Sequence, residues 1–213
     1  MATFVDRALV QLAFLEKEYG FAIVQTDAST RLPETEGFVR YISATTFVKV
    51  YGDPGGAVGT VLGRASDSEK FAIGIMTLAE YSLLSAAEKR LVLSRDAKDD
   101  RRARELMSAR SLQKTQEWRL IRELNYAERS ERGIADNAKW LLQYADPLLR
   151  GDFSSWRALF EYKVERQVAE RIRSGSAETE VRFTEREAGR VQQEVQPLLA
   201  ELQQYLVNLK AES

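Results

Sequence analysis

The sequence predicts an α+β fold: an N-terminal helix on an antiparallel β-meander, followed by a mostly helical C-terminal half. Three features carry this. Residues 3–19 place apolar side chains at helical spacing. Residues 21–64 break into short alternating runs separated by polar or Gly-rich turns. From residue 77 to residue 130 the chain holds no Gly or Pro, and apolar stripes at helical spacing recur beyond it.

The first helix has a cap, a face and a stop. Thr3 and Asp6 have the spacing of a capping box. Val5, Ala8, Leu9, Leu12, Leu15 and Tyr19 share one face, and Gly20 stands where a helix turns left-handed. Strands are predicted at 21–26, 37–44, 46–52 and 57–64, with 70–76 as a last strand or a buried connector. DPGG (53–56) joins two of them, because Pro54 presets φ and the glycines accept positive φ. The same stretch does not read as a phosphate loop, since no Lys-Ser/Thr follows the glycines and strands flank it on both sides.

Helical segments fill the rest. Thr77/Glu80 and Ser85/Glu88 have capping-box spacing, and Asp100/Arg104 and Arg101/Glu105 are i,i+4 pairs on a solvated helix. Gly133 is expected to break that region, with a short helix at 135–145 ended by Asp146-Pro147. Trp156, Leu159, Phe160, Val164, Val168 and Ile172 then mark one helical face. SGSAE (174–178) reads as a linker. Val195, Leu198, Leu202, Tyr205 and Leu209 follow as a heptad seam, with Pro197 inside it. The expected organisation is therefore 1–76 (helix plus sheet), 77–173 (helical) and 174–213 (linker and seam helix).

Composition removes much chemistry. The 213 residues include no Cys and no His, which excludes thiol nucleophiles, imidazole bases, Cys/His zinc sites and Ser–His–acid triads. No cofactor motif is present, and the sequence predicts neither a cofactor nor an enzyme. The net charge of −1 argues against a dedicated nucleic-acid binder. The arginines of 98–110 are interleaved with Asp96, Asp99, Asp100 and Glu105, which neutralise them. No stretch has the roughly 20 apolar residues of a spanning helix, and no secretory leader is visible, so a cytoplasmic protein away from membranes is expected.

Two surfaces remain as candidates. The acidic residues Glu16, Glu18, Glu34, Glu36 and Asp53, with Asp27, form either a solvated rim or a recognition surface for a basic protein partner; their spacing matches no metal-binding loop. The C-terminal seam packs either within its own chain or on a second copy, giving a homo-oligomer.

LAFLEKEYGF (12–21), VRYISATTFVKVYGDPGGAVGTVLGR (39–64) and WLLQYADPLLRGDFSSW (140–156) resemble a loose set of small bacterial immunity-type or defence-associated proteins. In those, a leading helix ending in a YGF-like turn precedes an antiparallel meander, and a later helix ends in an LLxGDF segment. The resemblance covers about a quarter of the chain. It implies binding to another protein, a toxin or a defence-system component, and transfers no catalytic residue. The alternative is a structural subunit assembled through the helical half.

Overall fold

The computed structural model describes residues 2–110, 124–182, 200 and 204–205. The chain is α+β, as the sequence predicts. Helices α1 (Phe4–Gln11) and α2 (Ala13–Tyr19) precede strands β1 (Ala22–Ala28), β2 (Gly37–Ile42), β3 (Thr46–Gly52), β4 (Val58–Arg64) and β5 (Ile73–Gly74). Helices α3 (Ile75–Leu83), α4 (Ala86–Val92), α5 (Asp100–Arg110), α6 (Tyr126–Tyr144), α7 (Asp146–Leu149) and α8 (Trp156–Arg182) follow. The strands form one antiparallel sheet in sequence order.

Two compact units interleave along the chain, residues 1–79 with 113–153 and residues 80–112 with 154–213. This differs from three consecutive regions for a physical reason. Helix α6 buries Ser130, Ile134, Asn137, Ala138 and Leu141, a stripe at helical spacing. That stripe is spent on β4 and α1, so the helix belongs with the sheet.

In the first unit Thr3 and Asp6 form the predicted capping box, and Gly20 closes α2 at φ 68°. The predicted single helix 3–19 is divided at Leu12, where φ −102° and ψ 11° leave the helical region. Phe4, Ala8, Leu12 and Leu15 are buried, as are Val39, Tyr41, Val48, Val50 and Leu62 on the facing side of the sheet. Each fully buried Leu or Val contributes roughly 1.5–3 kcal/mol. Buried Thr46 donates to the Leu148 carbonyl (2.7 Å), and the Tyr19 hydroxyl donates to Asp146 Oδ1 (2.6 Å), fixing α7 to the hairpin and to α2.

Gly133 does not break a helix: it lies inside α6. A Cβ there would be 2.8 Å from Val58 Cγ2, so the glycine permits close approach of α6 to β4. The helix survives because Asn125 and Glu128 form a capping box at its start, and its apolar face outweighs the cost of one glycine, about 1 kcal/mol. Thr77 likewise lies inside α3, since β5 leads directly into that helix without a loop. The Ser85/Glu88 box caps α4 as predicted.

In the second unit Leu84, Val92 and Tyr162 form a buried cluster with Tyr81, Leu93, Leu106 and Met107 against it. Arg173 on α8, 5% exposed, donates to the Val92 carbonyl (2.7 Å) and the Ser94 carbonyl, and pairs with buried Asp100 (3.4 Å). One guanidinium thereby donates to carbonyls at the open end of α4 and pairs with the carboxylate of the first residue of α5. Helix α8 continues through residues 174–178, where a linker was expected. Gly175 is its single weak former there, flanked by residues that tolerate a helix. Val195, Leu198, Leu202 and Leu209 of the seam lie outside the described residues. Its member Tyr205 is buried in its own chain: the Trp156 indole N–H donates to its hydroxyl (2.6 Å), and its ring lies 4.4 Å from that of Phe160.

Replacing Gly133 by Val tests the α6–β4 contact. Helix propensity alone predicts a gain of a few tenths of a kcal/mol. Overpacking against Val58 predicts a loss of about 1–3 kcal/mol in urea unfolding, and loss is the expected result.

Candidate protein-docking surface

Strand β1 is the edge of the sheet, and all seven of its residues are exposed. Its register with β2 slips between Ile23 and Gln25, so Val24 is an extra residue in a β-bulge. Beyond the bulge the pairing is regular: Gln25 with Arg40, Thr26 with Val39, Asp27 with Phe38 and Ala28 with Gly37. The next pair, Ser29 with Glu36, is hydrogen-bonded, Ser29 N–H donating to the Glu36 carbonyl at 3.2 Å. Bonded and unbonded pairs alternate in an antiparallel ladder. Asp27 and Gln25 therefore bond inward to β2, and the peptide groups of Thr26 and Ala28 point away from the sheet.

The sheet face opposite the α1/α6 layer is built from the other residues of the alternation. Phe38 and Arg40 on β2, Phe47, Lys49 and Tyr51 on β3, and Val61 on β4 share it. Two aromatic rings replace missing side chains on the neighbouring strand. Tyr51 occupies the space a Cβ of Gly59 would need (2.3 Å to Cζ), and Phe47 that of Gly63 (2.8 Å to Cε1). Two cations lie on rings: Lys49 Nζ is 4.6 Å from the Phe38 centroid, and the Arg40 guanidinium 5.4 Å from that of Phe47. Both cations also meet Glu69, at 3.0 and 3.6 Å. These pairs are partly exposed and contribute at most about 1 kcal/mol each.

A concavity of about 700 Å³ lies where this face meets the end of β1. Phe38, Tyr51 and Val61 supply its apolar surface, and Asp27, Glu36, Lys49 and Glu69 its charge. Lys49 is taken by Glu69. Asp27 and Glu36 have no ion-pair partner among the described residues.

The acidic residues singled out from the sequence do not converge on one place. Glu16 and Glu18 are exposed on α2. Asp53 is in the β3–β4 turn, where its Oδ1 accepts from Ala57 N–H (2.9 Å). Glu34 lines a separate groove of about 590 Å³ with Leu32 and Tyr126. Of that set Glu36 and Asp27 alone line the concavity among the described residues. Phe38 and Tyr51 were not singled out; the alternation through 37–52 carried that signal.

The second unit holds a buried polar cluster that sequence reading missed. Glu80 on α3, with a side chain 9% exposed, accepts from the Tyr162 hydroxyl and pairs with Arg166 (2.7 Å) on α8. Burial raises the pKa of its carboxyl, against the lowering effects of Tyr162 and Arg166. Burial and the Glu80 contact also push the Tyr162 phenol up. The partners lie about 80 positions apart in sequence, so no local motif announces them. The arrangement satisfies every member and ties α3 to α8. Among the described residues no three carboxylates converge to hold a metal, and no helix is long and apolar enough to cross a membrane. No family model, curated protein or solved structure matches the chain.

The raised pKa of Glu80 fixes the sign of a pH effect. The folded state holds the proton more tightly than the unfolded state, so stability from this group falls as pH rises above about 4.5, its ordinary value. Glu80→Gln cannot titrate. Its urea midpoint is expected to improve relative to the parent as pH climbs from 4.5 towards neutrality. A relative decline over that range would mean that the Arg166 pairing outweighs burial.

Proposed function

We propose that this chain is a cytosolic protein-binding protein that acts by occupying its partner, not by catalysis, and that an extended segment of the partner docks on the β1 edge. The outward-facing peptide groups of Thr26 and Ala28 carry this reading. An exposed strand edge is a template for strand addition, and folds usually blunt it. Here the other edge is blunted by shortness, since β5 has two residues. The bulge at Val24 bends the first part of β1 but leaves Gln25–Ala28 regular. A toxin or a defence-system component is the partner class that fits the sequence resemblance.

A scaffold assembled through the C-terminal seam draws less support. Tyr205, the seam residue that is described, is buried against Trp156 and Phe160 of its own chain.

Thr26→Pro removes an outward N–H donor while leaving the inward ladder untouched, and Pro is tolerated on edge strands. Affinity capture from the native host with this bait is expected to lose, by tenfold or more, a protein retained by the parent. A Glu16→Gln/Glu18→Gln bait, altered on α2, should retain it. Identical capture by the parent and Thr26→Pro, at matched thermal melts, would contradict edge docking.

A further inference from the structure

Strand addition at β1 has a register, and the register gives the partner a chemistry. A strand laid antiparallel outside β1 exchanges hydrogen bonds with Thr26 and Ala28, whose peptide groups face it. The residue between those contacts lies opposite Asp27 in an unbonded pair, where Cα atoms approach to about 4.5 Å and side chains are closest. Its side chain projects to the same face as Asp27, which is the face of the concavity. What it meets there is the Asp27 carboxylate, with Glu36, the residue before β2, sharing the concavity. The nearby cations, Arg40 and Lys49, are both held by Glu69 and by the Phe47 and Phe38 rings. The pocket thus presents two carboxylates without ion-pair partners among the described residues to one incoming side chain.

Resting on the docking reading above, we propose that the docked segment belongs to a different protein and carries a Lys or Arg at the position facing Asp27. The cation pairs with Asp27 and Glu36. A carboxylate at that position faces like charge across the strands and is rejected. Charge complementarity favours a basic segment of a different protein over a second copy of β1, whose one charged residue is Asp27 itself.

Three capped nine-residue peptides of alternating Thr and Val, differing only in a central Lys, Ser or Glu, provide the probe. Each is titrated to millimolar concentration into the isotope-labelled full chain, following backbone amide shifts. The Lys peptide is expected to shift the Thr26 and Ala28 amides and to bind about tenfold tighter than the Glu peptide. Asp27→Asn/Glu36→Gln should shrink that ratio to within about twofold without abolishing the shifts. Equal binding of all three peptides at the same amides would overturn the basic-residue inference and leave edge docking standing. Shifts confined to other elements, or none with any peptide, would overturn both. Peptide-independent doubling of mass in light scattering, abolished by Thr26→Pro, would assign the edge to a second copy and also overturn the inference.

Discussion

An antiparallel meander that does not close must end in two edges, and each edge leaves a row of peptide groups without sheet partners. This constraint governs what the sheet unit can do. At β5 the row is two residues long. Strand β1 has seven residues, all exposed, and in its regular part Thr26 and Ala28 face outward while Gln25 and Asp27 bond to β2. The bulge at Val24 shortens the flat part of that edge to Gln25–Ala28 and places it beside the concavity.

Docking at the edge, as proposed, requires that the strands behind it be held firmly. One face of the sheet is sealed by α1 and α6, with Val39, Tyr41, Val48, Val50 and Leu62 buried beneath them. Close approach at Gly133 and Val58 brings α6 down onto β4. The other face carries Phe38, Arg40, Phe47, Lys49, Tyr51 and Val61. It is consolidated by side chains on the strands: Tyr51 across Gly59, Phe47 across Gly63, and cations on Phe38 and Phe47 that share Glu69. That arrangement engages the cations of this face and leaves Asp27 and Glu36 without an ion-pair partner among the described residues. The second unit is held differently, by buried charge. Arg173 bridges Asp100 and the end of α4, and Arg166 with Tyr162 neutralises Glu80. Removing one partner from a fully buried pair such as Arg173–Asp100 costs about 3–5 kcal/mol, so this cluster binds α4, α5 and α8 to a single packing.

Local signals were read correctly where the responsible residues are neighbours in sequence. The Thr3/Asp6 and Ser85/Glu88 caps, the Gly20 stop, the Asp53–Gly56 turn and the strand alternation all depend on contacts within a few residues. Gly133 was misread because its role is set by Val58, 75 positions away, and local propensity sees only a weak helix former. Residues 174–178 were misread for a related reason: a Ser/Gly run suits a linker, but here it continues a helix already nucleated and packed from Trp156 onward. The candidate surface was half legible. Asp27 and Glu36 were named for their charge, while the edge follows from strand order and bond phase, which no single segment encodes.

Native-state amide hydrogen exchange on the isolated full chain tests the central claim, that β1 presents an open edge, most directly. The amides of Thr26 and Ala28 should exchange orders of magnitude faster than those of Gln25 and Asp27, which bond to β2, and faster still than those of central β3. Equal protection of all four β1 amides would mean that the outer row is already paired, and the docking account would fail.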